Sequence, residues 1–233
     1  MKKSIWQILG ICGFISALVY TAHVVIGGFL WTNYSHLTQT ISELTADGAP
    51  GASFLRVLTT TYGILAIVFS LSLLFFFREK GFGNAAKTGA ILLIIMETVS
   101  LIGYGLFPLS EGGTEMDPQN MGHLIVTVIV VLCTITCGFF IGAGLKKAPL
   151  RKTGLFVFIC AIIMVVAGGM TPVSMANNLP IAGLVERINI FTLQIWIAVL
   201  SLRVFTADIK KKEKRCMDGG AVGIIIVLDI CAE

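Results

Sequence analysis

The sequence predicts an all-α membrane protein: a polytopic bundle of six transmembrane helices with both termini in the cytoplasm. Three observations carry this. Apolar residues are 56% of the 233 and charged residues only 13%, against about 45–50% and about 25% in soluble domains. The mean hydropathy is +0.90, which leaves too little polar surface to clothe a water-soluble globule. Six apolar stretches are each long enough for a hydrocarbon core of about 30 Å, which takes about 20 helical residues. Disordered, collagen-like and disulfide-framework classes are excluded, because charge is low and there is neither a glycine period nor dense cysteine.

The spans are expected at 5–31, 53–77, 86–107, 121–145, 153–170 and 181–205. The fifth is the shortest, about 27 Å at 1.5 Å per residue, so it should stand nearly upright. The runs are apolar all round rather than alternating, which favours helices over a barrel. Lys2 and Lys3 precede the first span as they would a signal peptide. Its apolar run exceeds the 7–15 residues of a signal core, roughly, so it is read as a retained helix.

Orientation follows from Lys and Arg. All of the 17 except Arg56 and Arg187 fall in the N-terminus, the even-numbered loops or the C-terminal segment. Loops 32–52, 108–120 and 171–182 carry none, while holding Glu43, Asp47, Glu111, Glu115 and Asp117. The net charge of +4 is therefore an orientation signal with a basic tail, and no nucleic-acid partner is expected. Cys12, Cys133, Cys137 and Cys160 fall inside spans, and no disulfide framework is implied. Cys133 and Cys137 lie at i,i+4 without a nearby His or Asp and read as packing residues.

Residues 1–205 make the six-helix domain, and 206–233 a basic cytoplasmic tail whose short apolar end is expected to be disordered. The composition shifts abruptly near Cys216, as a reading-frame change would also produce. No internal repeat supports an inverted-repeat transporter. In the first outer loop, Thr40 to Glu43 fits a capping box. A short helix should start there and stop before the turn cluster Gly48-Ala-Pro50-Gly51, with Ile41 and Leu44 pinning it to the membrane interface.

Ionisable groups inside a bilayer cost about 3 kcal/mol each on insertion scales and normally face the bundle interior. His23 should lie about 12 Å below Trp31, with Ser16, Tyr20 and Gly27 on its face. Glu97 sits near the middle of span three, with Ser100 and Tyr104 on the same stripe. His123 opens span four with Thr127 at i+4, and Arg56 stands one turn inside span two. Glu186, Arg187 and Asn189 begin span six, with Gln194 two turns below Arg187. Five of the six spans thus contribute to one expected polar cavity, open to the outside and roofed by the loop carrying Ser42 and Glu43. Structural readings stand beside these. Arg187 would pair with Glu97 or Glu186, His123 would bond loop backbone, and Gly138-Phe-Phe-Ile-Gly142 would pack helices within the bundle.

Ile41-Ser-Glu-Leu44 followed by Gly48-Ala-Pro50, Phe107-Pro108 followed by Gly122-His123, and Gly183-Leu-Val-Glu-Arg187 together resemble the domain of unknown function 998 family. The likeness covers about residues 5–205. A looser similarity to the Frag1/DRAM/Sfk1 group rests on the Ser-Glu loop and the span-four His. The resemblance implies a six-helix fold in a bacterial or archaeal cell membrane, and no activity. It singles out Ser42, Glu43, Pro50, Pro108, His123, Glu186 and Arg187; the tail after Arg215 lies outside it.

Three function classes follow. The first binds or moves a lipid headgroup or small polar or anionic solute, clamped by Arg56 and Arg187, with His23 and Glu97 tuning charge. The second is a structural or regulatory subunit without ligand. The third is an intramembrane metal-dependent lipid hydrolase or transferase using His23, His123 and Glu97 or Glu43. No His-x-x-x-His or His-Glu-x-x-His pair supports the third, so catalytic and metal residues are assigned to none and no cofactor is expected. The partner is the lipid bilayer, with a lipid or small anionic ligand in the cavity.

Overall fold

The computed structural model describes residues 3–111, 117–145 and 150–207. A short α1 (Ile5–Leu9) leads into α2 (Cys12–Leu30). Then follow α3 (Ala52–Glu79), α4 (Asn84–Leu106), α5 (Pro118–Leu145), α6 (Arg151–Ala176) and α7 (Ala182–Thr206). Among the described residues six helices, counting α1 and α2 as one, are long and apolar enough to cross a membrane. Each packs on its chain neighbour and α7 closes on α2, giving a ring of six. Most of the tail expected beyond 205, and the basic segment 146–149, lie outside the described residues.

The first span is jointed rather than continuous. Ser4 and Gln7 form a reciprocal capping box that starts α1, a signal the sequence reading placed only at Thr40. At the joint, the Ser201 hydroxyl accepts from Phe14 N–H at 2.9 Å and donates to the Gly10 carbonyl at 2.6 Å. Gln7 Nε2 donates to the Val204 and Ala207 carbonyls. Backbone groups freed by the break are thereby satisfied by α7 rather than left in hydrocarbon.

The fifth span is the clearest correction of length. Instead of ending at residue 170, α6 runs through Pro172 to Ala176, about 39 Å at 1.5 Å per residue. Proline there removes one N–H but leaves the turns beyond it free to continue.

The core is layered from Phe69, Leu73, Phe76, Phe77, Leu93, Met96, Ile141, Met164 and Trp196, all buried. The outer surface is apolar too: Phe29 is 85% exposed, Leu132 61% and Val166 59%. An apolar exterior over an apolar interior is what a lipid-facing bundle needs. Gly138 and Gly142 face α6, where a Cβ would press on Ala161 and Phe158. The GxxxG motif therefore packs α5 against α6 within the bundle.

Candidate functional site

Between α2 and α3 the loop does not rest on the membrane interface. It turns through a single 3-10 turn, Ser42–Thr45, and drives Ile41 and Leu44 into the bundle beside Val24 and Leu55. Both are essentially inaccessible, a correction to the interfacial role expected of them. Glu43 organises the loop locally. Its Oε1 accepts from Thr40 N–H at 2.7 Å and Thr40 Oγ1 at 2.9 Å, and its Oε2 accepts from Gln39 Nε2 at 3.0 Å. Ser42 Oγ lies 3.0 Å from Thr40 Oγ1. These two residues build the loop's own fold.

The start of α7 latches that loop. Arg187 donates from Nη1 to the carbonyls of Gln39 (2.7 Å) and Gly183 (2.9 Å), and from Nη2 to the Tyr34 hydroxyl at 2.6 Å. Glu186 Oε2 accepts from Ile41 N–H at 2.6 Å, and Leu184 N–H donates to the Leu37 carbonyl. Tyr34 hands its own proton to the Thr40 carbonyl at 2.6 Å. The approach is so close that a Cβ on Gly183 would collide with the Gln39 carbonyl; only glycine admits the loop backbone here. Burial pushes the Tyr34 phenol up to about 12; Arg187 pulls it down, and Glu186 and Glu43 raise it further.

Expected pairing of Arg187 with Glu97 is not what forms. Among the described residues the ion pairs are Arg56–Asp47 and Lys80–Glu79. The ring explains this: α4 stands across from α7, while backbone carbonyls lie within reach of the guanidinium. Arg56 is likewise occupied, donating to the Thr45 carbonyl from Nε and Nη2 and to Asp47 Oδ1 at 2.6 Å. Asp47 also accepts from Gln119 Nε2. Hydrogen bonds from Arg56 and then Gln119 hold its carboxyl below the usual range.

His123 sits apart, its Nδ1 2.9 Å from the Phe107 carbonyl and its ring 4.9 Å from that of Tyr104. The Tyr104 hydroxyl donates to Thr127.

His23 and Glu97 lie deeper, at a cluster the sequence reading only half named. Tyr20 stands edge-on to His23 at 5.5 Å and to Tyr62 at 4.9 Å between ring centres. The Tyr62 hydroxyl donates to Glu97 Oε1 and accepts from Gln194 Nε2, both at 3.3 Å. His23, Glu97 and Gln194 are buried. Both His23 ring nitrogens, Glu97 Oε2 and Gln194 Oε1 have no hydrogen-bond partner. Tyr20 thus bridges His23 and Tyr62, and the deep residues form one buried polar column. Tyr62 escaped notice because a lone tyrosine at the head of an apolar run reads as core. Its signal was its place on the seam Leu55, Tyr62, Ala66, Phe69.

Two shallow cavities, about 390 and 260 Å³, lie at the rim of α3, lined by residues between 47 and 61, and include none of the deep cluster. Among the described residues no group of three or more His, Cys, Asp or Glu gathers as a metal site.

A family model described as "Protein of unknown function (DUF998)" matches residues 14–203. No curated protein and no solved structure matches the chain. The looser similarity to the Frag1/DRAM/Sfk1 group gains no support from these comparisons.

Proposed function

This chain belongs to the DUF998 family, and from that premise we propose a multi-pass membrane protein that binds or moves a small polar solute in the polar core of its bundle. In this reading the chain sits in a bacterial or archaeal cell membrane with both termini cytoplasmic, and the solute enters from the extracytoplasmic loop end. One observation carries it: unpartnered polar atoms of His23, Glu97 and Gln194 buried around Tyr62. Burying such groups without partners costs about 1–3 kcal/mol each, and a bundle tolerates that cost where the groups serve a ligand.

Of the two solute classes the sequence suggested, the small polar solute is favoured over an anionic headgroup. A headgroup would have to displace Thr45 and Asp47 from Arg56, and Gln39, Gly183 and Tyr34 from Arg187. A second reading, a structural subunit without ligand, draws on the burial of Ile41 and Leu44, which plug the loop end.

Native mass spectrometry of the purified chain, joined to a thermal-shift panel of polar solutes, separates the two. Binding predicts a retained small molecule or a saturable rise in the unfolding midpoint that Glu97→Gln weakens. If nothing is retained and no solute shifts the midpoint, the subunit reading prevails.

A further inference from the structure

The two shallow cavities at the rim of α3 adjoin, sharing Ser53 and Arg56. They differ in character. The larger, about 390 Å³, is walled by Asp47, Ser53, Arg56 and the turn around Ala49, a size within the roughly 300–1,000 Å³ usual for small-ligand sites. The smaller, about 260 Å³, continues along α3 past Val57, Thr60 and Thr61. The Thr60 and Thr61 hydroxyls are spent on the carbonyls of Arg56 and Val57 in their own helix, at 2.8 Å each, so this second groove is apolar. Ile64 and Leu71 prolong it, exposed like Val57 and repeating at seven-residue helical spacing. A polar pocket at the end of a spanning helix, above an apolar track, has the outline of a phospholipid.

The charges at the upper cavity are mixed. Arg56 spends Nε and Nη2 on the Thr45 carbonyl and Asp47, which leaves both N–H donors of Nη1. Its side chain is 40% exposed and that of Asp47 47%. Asp47 N–H donates to the Leu109 carbonyl at 2.8 Å, which draws Glu111 to the same turn: a Cβ on Gly48 would stand 3.0 Å from Glu111 Cδ. Among the described residues no cation pairs with Glu111. One guanidinium with free donors therefore stands beside two carboxylates, of which only Asp47 has a cationic partner. A purely anionic headgroup would be repelled by both carboxylates, whereas a zwitterion matches both signs.

We propose that this groove seats a phospholipid whose headgroup joins a phosphate to a primary ammonium, the ethanolamine type. The phosphate takes the two donors of Arg56 Nη1. The ammonium lies against Glu111 and the remaining lone pairs of Asp47, and an acyl chain follows Val57 toward Leu71. No bond of Arg56 has to break. Choline, which has no N–H, offers the carboxylates no hydrogen bond. The groove lies on the outside of the bundle, so this assignment is independent of the solute reading of the deep cluster.

Native mass spectrometry of the purified full chain in detergent tests it, with dioleoyl phosphatidylethanolamine, phosphatidylcholine or phosphatidylglycerol titrated in. The ethanolamine lipid is expected to bind more tightly than the other two by about two- to fivefold, the range of an exposed ion pair. Glu111→Gln should bring it to the choline level. Glu111 makes no hydrogen bond or ion pair among the described residues, so this variant keeps the fold. Arg56→Gln, which removes the phosphate donors, should weaken all three lipids by about tenfold; if it does not fold, Glu111→Gln decides alone. O-phosphoethanolamine, the headgroup without chains, should not compete at equal concentration. Equal binding of the three lipids with no response to Glu111→Gln would overturn the assignment. A preference for phosphatidylglycerol would overturn it in favour of an anionic lipid, and competition by the free headgroup in favour of a soluble zwitterion.

Discussion

Replacing Arg187 with Gln removes three hydrogen bonds at once. The Gln39 and Gly183 carbonyls and the Tyr34 hydroxyl lose a charged donor, in a residue only 8% exposed. Hydrogen bonds to charged groups contribute about 1.5–3 kcal/mol each, but water reaches the loop side, so the net loss should be about 3–5 kcal/mol. Denaturant unfolding in detergent micelles measures it. The discriminating step is a pair of double-mutant cycles. Arg187→Gln with Tyr34→Phe should be strongly non-additive, because the two share a 2.6 Å bond. Arg187→Gln with Glu97→Gln should add within about 0.5 kcal/mol, as residues without a shared partner do. Recovery of more than about 1 kcal/mol in that second double variant would mean a functional ion pair across the ring and would refute the latch geometry.

Other outcomes follow from the same contacts. Gly183→Ala should loosen the loop, because its Cβ meets the Gln39 carbonyl; limited proteolysis between residues 32 and 51 should speed up. The Tyr34 phenol, raised to about 12, contributes stability that is full below about pH 10, its unfolded value, and lost as pH rises through 12. A late alkaline absorbance change absent from Tyr34→Phe checks this. Asp47, held low by Arg56 and Gln119, has the opposite sign: its tie is present above about pH 3.9 and lost as pH falls through its lower folded value. Asp47→Asn should blunt acid sensitivity slightly. Alkaline phosphatase fused after Asp47, Asp117 or Asn177 should be active, and inactive after Lys80, Lys147 or Lys212; one reversed pair overturns the orientation.

Much of the fold was legible because the bilayer imposes it. Span positions follow from apolar length alone, and α3, α4, α5 and α7 begin and end within about three residues of expectation. The fifth span was placed too short because its apolar run was stopped at Met170, whereas α6 carries on through Pro172 to Ala176, since in hydrocarbon a helix has nowhere better to satisfy its remaining backbone groups. The candidate site was less legible for a different reason. Depth along a helix can be counted, but ring order cannot, and Arg187 and the deeper Glu97 belong to helices that do not adjoin. Arg187 found carbonyls instead, a partner no residue pattern announces. Ile41 and Leu44 show the same limit: an amphipathic turn says that a face is apolar, not whether lipid or protein covers it.

The buried loop also decides what a solute would experience. Reaching the deep cluster from the loop end requires Ile41 and Leu44 to leave the bundle, and burial of two such side chains is worth about 3–6 kcal/mol. The open loop would then hold about one molecule in 10² to 10⁴. If the solute sits beneath a loop that closes again, opening governs how fast it enters and leaves, while affinity is set by Glu97, Gln194 and His23. Arg187→Gln would then raise association and dissociation rates together and leave the dissociation constant near its original value. If instead the open loop is the binding-competent state, the same substitution tightens binding by the factor it adds to the open population. Stopped-flow and equilibrium titrations with one solute distinguish the two. The closed packing of Gly27 against Leu44 argues for the first, because the loop returns to a seat shaped for it without passing through the cluster.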